Sequence, residues 1–252
     1  MPEKPMPLVS PTDDVVIVHS SDLHVDDGYT ARAWGGDGNA PLAAVLATAR
    51  AIAADIVLLT GDIFEHNRLK TPILDRTRDV LANAGLPVVM LPGNHDPLMA
   101  GSVWDRGGLG DITNVHVLGE TSDVAAFPGL ELDIWGRAHM DYNDINPLEG
   151  APDRSARWHI VAGHGHFADA HPPAGTPGPS WLFTPEDIEA TGADYVALGH
   201  WNRQIRVGTG AVPAWYSGSP DYARTVNVVR LQHPGSVDIT HAVVDGAPEA
   251  TS

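Results

Sequence analysis

The first third of the chain consists of short apolar runs separated by longer amphipathic stretches. The runs are rich in Val, Leu and Ile and predict buried strands; they lie at residues 15–20, 55–60 and 86–91. Between them, Pro41 opens an Ala- and Leu-rich helix that is predicted to end at residue 54, and Thr71-Pro72 opens a second helix that Gly85 closes. This order of strands and helices predicts parallel strands with helices packed on the sheet.

The second half of the chain contains mainly short strand-like segments. They lie at residues 115–118, 130–135, 158–162, 195–198, 204–207, 213–216, 225–231 and 237–244. One helix start is clear, because Thr184 can cap, Pro185 suits the first helical position and acidic residues follow. We therefore predict one α/β domain over residues 13–245, with two facing mixed sheets and helices outside. Residues 1–12 and 246–252 are expected to be flexible tails.

Composition narrows the function classes. The chain has 252 residues and a formal net charge of −17, which argues against a broad surface for duplex DNA or anionic lipid. It has no Cys, so any metal must be held by imidazole nitrogen and by carboxylate or amide oxygen, and 13 His are available. Neither a signal peptide nor a membrane-spanning run of ~18 apolar residues is evident, so we expect a cytoplasmic protein.

Side chains that can bind metal follow the predicted strands at five places. The motifs are Ser20-Ser21-Asp22-Leu23-His24, Thr60-Gly61-Asp62, Pro92-Gly93-Asn94-His95-Asp96, Gly163-His164-Gly165-His166 and Gly199-His200-Trp201-Asn202. In α/β sheets, ligands bind beyond the carboxyl ends of the strands. Five strand ends that deliver oxygen and imidazole to one edge are typical of a dinuclear metal site. Such a site suits Mn, Fe, Zn or Mg and can clamp a phosphoryl group.

With these motifs in order, the sequence resembles the calcineurin-like metallophosphoesterase superfamily, whose signature is D-x-H, G-D, G-N-H-D, H and G-H-x-H. The resemblance extends from residue 15 to about residue 231. It implies a four-layer α-β-β-α sandwich and a hydrolase of phosphoesters with two divalent metal ions, for which Mn is the expected metal and Fe, Zn or Mg are alternatives. Within the superfamily, the sequence is most similar to the Mre11/SbcD-type DNA-repair exonucleases, through residues 61–68, 197–200 and 216–220.

The resemblance also implies a role for each matching residue. Asp22 and His24 would bind the first metal, and Asp62 would bridge both metals. The second metal would be held by Asn94, His164 and His200. The last His of the signature is replaced by Asn202. Amide oxygen is a weaker ligand than imidazole, so we expect a weaker first site, with Asn202 bound directly or through water.

A metal-bridging hydroxide is the implied nucleophile, and His95 is the implied general acid, because a His pKa lies near the operating pH. Such a His needs an orienting partner. Three positions after Asp62 stands Glu65, which we predict to pair with His95; His66 is the alternative partner, and both His66 and His166 are candidates for substrate contact.

Ordinary structural roles are the alternative for each of these residues. Single Asp and Asn residues after strands often cap turns, but five motifs in order are specific. The other histidines of predicted strands are interpreted as structural; they are His19, His116, His159, His233 and His241. A substrate role for His139 is not expected. The tryptophans are interpreted as core or pocket wall rather than as platforms that stack on nucleotides.

Three functions follow from this sequence in decreasing order of preference. Exonucleases of the similar branch carry a capping domain and a partner-binding segment after the catalytic core, and we expect this chain to hold neither. A phosphodiesterase acting alone is therefore preferred over a minimal exonuclease acting on DNA ends, which the net charge also disfavours. The third function is a non-catalytic scaffold that binds metal, which the nearly complete ligand set opposes.

Overall fold

The structure is a computed structural model that describes residues 14–26, 28–172 and 178–247. The predicted tail over residues 1–12 lies outside this range, as do residues 248–252 of the predicted C-terminal tail. The strands of the described residues are β1 (Val15–Ser20), β2 (Ile56–Thr60), β3 (Val88–Leu91), β4 (Val115–Val117), β5 (Val124–Phe127), β6 (Leu132–Gly136), β7 (Trp158–His164), β8 (His166–Phe167), β9 (Leu182–Phe183), β10 (Tyr195–Gly199), β11 (Ile205–Val207), β12 (Ala214–Tyr216), β13 (Thr225–Gln232) and β14 (Ser236–Val243). The α-helices are α1 (Tyr29–Ala33), α2 (Ala40–Ala51), α3 (Thr71–Ala82), α4 (Val103–Gly107) and α5 (Pro185–Ala190), and short 3₁₀ turns lie at Leu109–Asp111 and Pro128–Leu130.

Two six-stranded mixed sheets form the centre of the molecule. The first has the order β14-β13-β1-β2-β3-β4 and the second has the order β11-β12-β10-β7-β6-β5. In the first sheet β1 to β4 run parallel, and in the second β6, β7, β10 and β12 run parallel. Antiparallel strands complete the first sheet at one edge, through β13 and β14, and the second at both edges, through β11 and β5. The small pair β8-β9 stands apart from both.

Three apolar clusters show how the layers pack. One lies between the first sheet and its helices and includes Leu46, Leu74 and Trp104. A second fills the space between the two sheets, with Ile17 and Leu58 from the first sheet and Ile160 from the second. A third joins the outer face of the second sheet to α5. Helices therefore cover the outer faces, and the predicted sandwich of two facing mixed sheets with helices outside is confirmed.

The chain departs from the sequence-based expectation in its last strands. We expected the strand-rich second half to build the second sheet, whereas β13 and β14 return to the first and pair beside β1. The apolar alternation of a strand does not specify its partner, so this return was not visible in the pattern. Short elements were also missed, among them α1, α4 and β5. His233 lies in a turn after β13 rather than in a strand.

Candidate metal centre

The predicted ligand residues lie where strands of both sheets end. Asp22 follows β1, Asp62 follows β2 and Asn94 follows β3, while His164 ends β7 and His200 follows β10. The loops after β1 and β2 run side by side, because Asp22 N donates to the Gly61 carbonyl and His24 N donates to the Asp62 carbonyl, both at 3.0 Å. Asp22, His24 and Asp62 are therefore held together at the carboxyl edge of the first sheet.

Two groups of potential metal ligands share one carboxylate. In the first, ligand atoms of His24, Asp62 and His95 all lie within 4.8 Å of one another. In the second, ligand atoms of Asp62, His164 and His200 also lie within 4.8 Å of one another. An aspartate common to two adjacent groups is the arrangement that a bridged metal pair requires.

Asp22 lies beside these groups, at the end of the neighbouring strand. Its buried carboxylate accepts a 2.5 Å hydrogen bond from Ser21 Oγ and a 3.1 Å bond from the main-chain nitrogen of His200. Asp22 therefore ties the first sheet to the second at the edge where the ligands meet.

Backbone strain is concentrated at the ligand positions. Positive φ angles occur at Asp22 (55°), His24 (47°), Asp62 (51°) and His200 (105°). L-residues rarely adopt such angles, and they persist only where the surrounding structure holds them. Strain at four of the predicted ligands is typical of a functional site.

Glycines in the same motifs allow the strand ends to approach one another. A Cβ on Gly61 would lie 2.0 Å from His164 Nδ1, and one on Gly93 would lie 2.3 Å from Asp62 Oδ1. At Gly199 the added atom would lie 1.8 Å from the Thr60 carbonyl oxygen. None of these contacts is sterically possible, so only glycine fits at these three positions.

The hydrogen bonds of His164 determine which of its nitrogens faces the site. Nδ1 lies 2.9 Å from the Thr60 carbonyl oxygen and therefore donates its proton. In the neutral ring, Nε2 then carries a lone pair, yet it faces Asn94 Oδ1 at 3.0 Å and Asp62 Oδ2 at 3.2 Å. Asn94 Oδ1 also lies 3.1 Å from His200 Nδ1. Electron pairs that converge in this way fit a cation, so the residues present fit a divalent metal.

The electrostatics of the second group agree with a cation site. Burial alone would lower the pKa of His164, but the charge and contact of Asp62 outweigh it and raise the pKa to about 9. For Asp62, burial is outweighed by His164, and its pKa lies far below the ordinary value. Burial and the neighbouring His164 lower the pKa of His200 to about 4, so its ring is neutral. A proton or a metal can satisfy the same acceptors, and the two therefore compete.

Glu65 contacts two histidines with different atoms. Its carboxylate Oε2 lies 2.9 Å from His24 Nδ1, although the alignment is too poor for a good hydrogen bond. Burial would lower the pKa of His24, but Glu65 and the charges of Asp62 and Asp22 outweigh it and raise the pKa to about 9. The predicted partner His95 instead donates from Nδ1 to the main-chain carbonyl of Glu65 at 3.0 Å, while the nearest carboxylate oxygen is 3.9 Å away.

The remaining predicted residues lie at the periphery of the site. Asn202 is exposed, and within the described part of the chain no hydrogen bond joins it to the other predicted ligands. His66 accepts a 3.2 Å bond from Arg68 N within its own loop. His166 is half-buried, with its ring centroid 6.2 Å from that of His200. His166 therefore lies beside His200, one of the second group of ligands.

The sequence argument assigned no role to two buried residues near the site. Asp96 accepts from Phe64 N at 3.0 Å and from Gly93 N at 2.7 Å, so it joins the loops after β2 and β3. Burial, reinforced by Asp62, raises the pKa of Asp96 to about 7. His139 Nε2 lies 2.8 Å from the His164 carbonyl oxygen. Asp96 was visible as the last residue of the G-N-H-D motif, whereas nothing in the sequence placed His139 here.

Comparison with known proteins agrees with this geometry. The family model described as calcineurin-like phosphoesterase matches residues 15–204. The protein TT1561 of Thermus thermophilus is 13% identical and has a TM-score of 0.60; the match covers 92% of this chain and 100% of that chain. A protein named as a candidate 5′-nucleotidase from Staphylococcus aureus, in complex with alpha-ketoglutarate, is 16% identical and has a TM-score of 0.62; the match covers 94% of this chain and 55% of that one. No curated protein matches the sequence.

At these identities the structural similarities show the fold alone, and the family model supplies the chemistry. Proteins of the matched family are metal-dependent phosphoesterases that typically bind two divalent metals. The two ligand groups of this chain agree with that number. Among the described residues, no helix has the length and apolar character needed to cross a membrane.

Proposed function

The chain belongs to the calcineurin-like phosphoesterase family, and from that premise we propose that it is a phosphodiesterase that uses two divalent metal ions. The observation that carries the proposal is the pair of ligand groups that share Asp62. A metal-dependent phosphoester hydrolase follows from the family; the preference for diesters rests on the motifs shared with the nuclease branch.

Each ligand residue has a role in this proposal. Asp22 and His24 would hold the first metal, Asp62 would serve both metals, and Asn94, His164 and His200 would hold the second. When bound, two such cations would neutralise phosphoryl charge and activate water for attack on phosphorus. The donors are hard oxygen and imidazole, which suits Mn, and Fe, Zn or Mg are the alternatives.

We assign to His95 the role of protonating the leaving oxygen. Its side chain is 41% exposed, so a substrate can reach it. Because Nδ1 donates to the Glu65 carbonyl at 3.0 Å, Nε2 is left to exchange a proton with the substrate. The main-chain nitrogen of His95 donates to Asp62 Oδ1 at 2.9 Å, which holds the residue beside the bridging carboxylate. His95 is therefore the general acid of the proposed reaction.

A minimal exonuclease of the Mre11/SbcD type is the second candidate. It is favoured by the segment over residues 216–220, in which Ser217 Oγ lies 2.8 Å from Ser21 Oγ, next to Asp22. It is opposed by the net charge of −17, which repels a duplex.

The test combines metal analysis with turnover of bis(p-nitrophenyl) phosphate and p-nitrophenyl phosphate, each with added Mn, Fe, Zn or Mg. The monoester belongs in the panel because one structural neighbour is named as a nucleotidase. We expect Mn-dependent turnover with preference for the diester, and its loss together with bound metal in Asp62→Asn. Asp238→Asn, which removes an exposed carboxylate on β14, is the control. Bound metal without turnover of either ester would identify a scaffold instead of an enzyme.

A further inference from the structure

Two partly exposed tryptophans flank the second ligand group. Trp181 has its ring centroid 5.7 Å from that of His200, and Trp201 directly follows His200 in the chain. His166 is near both Trp201 and His200, with its ring centroid 5.2 Å from the first and 6.2 Å from the second. Aromatic surface therefore begins one side chain away from the place where a phosphoryl group would bind.

Trp201 belongs to a rigid stack. Its ring lies on that of Tyr216, with centroids 4.5 Å apart and planes 10° from parallel. Tyr216 is fully buried; its hydroxyl donates to the Gly165 carbonyl at 2.7 Å and accepts from Phe167 N at 3.0 Å. One face of the indole is thus fixed against an immobile ring, which lowers the entropy cost of binding on the other.

Trp201 is partly exposed, and His166 does not stack on it face to face. The indole meets His166 through its edge, because Nε1 donates to His166 Nδ1 at 3.3 Å and the two planes are 74° apart. Among the described residues, no other ring contact of Trp201 is present besides those with Tyr216 and His166. The partly exposed indole therefore offers surface for a further flat ring.

Trp181, the second tryptophan beside His200, has a strained backbone. Its φ is +57°, which is unusual for a bulky residue. The main chain is held by a 2.5 Å bond to Asp144 Oδ1, and indole Nε1 donates to the Asn143 carbonyl at 3.1 Å. Strained, firmly held residues cluster at ligand sites.

We propose that Trp201 is a stacking platform for the planar ring of the ester substituent, and that the substrates are esters of nucleosides. The proposal rests on the proposed function, because it identifies the substrate class of the same site. A nucleobase is planar and uncharged, so it can stack on the indole without being repelled by the net charge of −17. A chain of phosphates would be repelled by that charge. This interpretation replaces our expectation that the tryptophans form only core and pocket wall.

The experiment compares two diesters with the same p-nitrophenolate leaving group, thymidine 5′-(p-nitrophenyl) phosphate and methyl p-nitrophenyl phosphate, on the metal-loaded protein. Stacking of one base predicts a kcat/KM about 5- to 100-fold higher for the thymidine ester. Trp201→Leu should remove most of this ratio, and Trp201→Phe should restore part of it. Trp215→Leu, on β12 beside His241, is the matched control and should keep the ratio.

Calorimetric titration with thymidine 5′-monophosphate and methyl phosphate provides a readout that does not need turnover. We expect tighter binding of the nucleotide, and loss of the difference in Trp201→Leu. Hydrolysis of both diesters with no thymidine preference, or a preference that survives in Trp201→Leu, would overturn the stacking role and leave the proposed function intact. If neither diester is hydrolysed, the proposed function fails, and the titration alone decides whether Trp201 binds the base.

Discussion

At the scale of the residue, the carboxylate of Glu65 contacts a different histidine from the one that its position in the sequence predicts. Glu65 stands three positions after Asp62, and we predicted that it would pair with His95. Its carboxylate instead lies 2.9 Å from His24 Nδ1, while its carbonyl contacts His95. A carboxylate behind a metal-binding His fixes the tautomer and makes the ring more basic, so we propose that Glu65 supports the first metal through His24.

Replacement of Glu65 by Ala should therefore weaken one of the two metal sites by about 10- to 100-fold, the usual effect of losing such a partner. Titration of the metal-free protein with Mn would measure both affinities. Glu149→Ala, which removes an exposed carboxylate paired with Arg137, is the control and should change neither. Two unchanged affinities in Glu65→Ala would show that the contact with His24 does not support binding.

His95 is expected to act on the reaction more than on the metal. His95→Ala should keep nearly normal metal content and lower turnover by ~10²–10⁴, the contribution typical of a general acid. Metal analysis and kcat on the same preparation test both parts. Because a His95 ring nitrogen lies within 4.8 Å of potential ligand atoms of His24 and Asp62, loss of one metal would assign His95 to the metal site instead.

At the scale of the element, a buried polar pair joins adjacent strands away from the site. Asp133 on β6 stands beside His159 on β7, and the two side chains are in contact. Asp133 also accepts bonds from Ser155 N at 2.9 Å and from Ser155 Oγ at 2.5 Å. Burial would raise the pKa of Asp133, but these contacts outweigh it and lower the pKa below its ordinary value.

Asp133→Asn should lower the free energy of unfolding by about 1–3 kcal/mol at pH 7. Because the pKa is lower in the folded state, the stabilising contribution is complete above the unfolded value of about 4 and is lost as pH falls below it. The difference between wild type and variant, measured by urea unfolding, should therefore shrink from pH 7 to pH 3. Asp153→Asn in an exposed loop is the control, and a difference that does not change with pH would contradict the assignment.

At the scale of the whole molecule, the negative net charge of the protein repels long nucleic acids. With a net charge of −17, we expect no measurable binding of a labelled DNA duplex at 50 mM salt, by fluorescence anisotropy with Mn present. A minimal exonuclease would instead bind, and would lose ~10³–10⁵ in affinity between 50 and 200 mM salt as counterions are released. Detection of that salt dependence would favour the exonuclease over the phosphodiesterase.

The two sheets are also joined by a buried polar network beneath the site. His19 on β1 lies 2.9 Å from both the Tyr195 hydroxyl on β10 and Thr60 Oγ1 on β2. Asn227 on β13 donates to the same hydroxyl at 3.2 Å. Burial lowers the pKa of His19 to about 3, so the ring is neutral and bonds without a buried charge. His19 therefore has a structural role, as expected, because it connects the two sheets through Tyr195.

The sequence by itself determined the fold class and the strand ends at which the candidate metal ligands lie. Apolar runs that end in Asp, Asn or His specify strands and their exits, and parallel strands bring those exits to one edge whatever else surrounds them. Glycines beside the ligands were visible in the same motifs. These features are local, since each depends on a few consecutive residues.

Only the tertiary structure decided which side chains meet across that edge. Three features join residues from separate segments of the chain: β13 and β14 return to the first sheet, Glu65 contacts His24, and Trp201 stacks on Tyr216. His24 also has a strained backbone, with a positive φ. Strand pairing and side-chain direction depend on packing against distant elements, which no local pattern encodes. The sequence therefore located the site, and the packing of the two sheets decided its geometry.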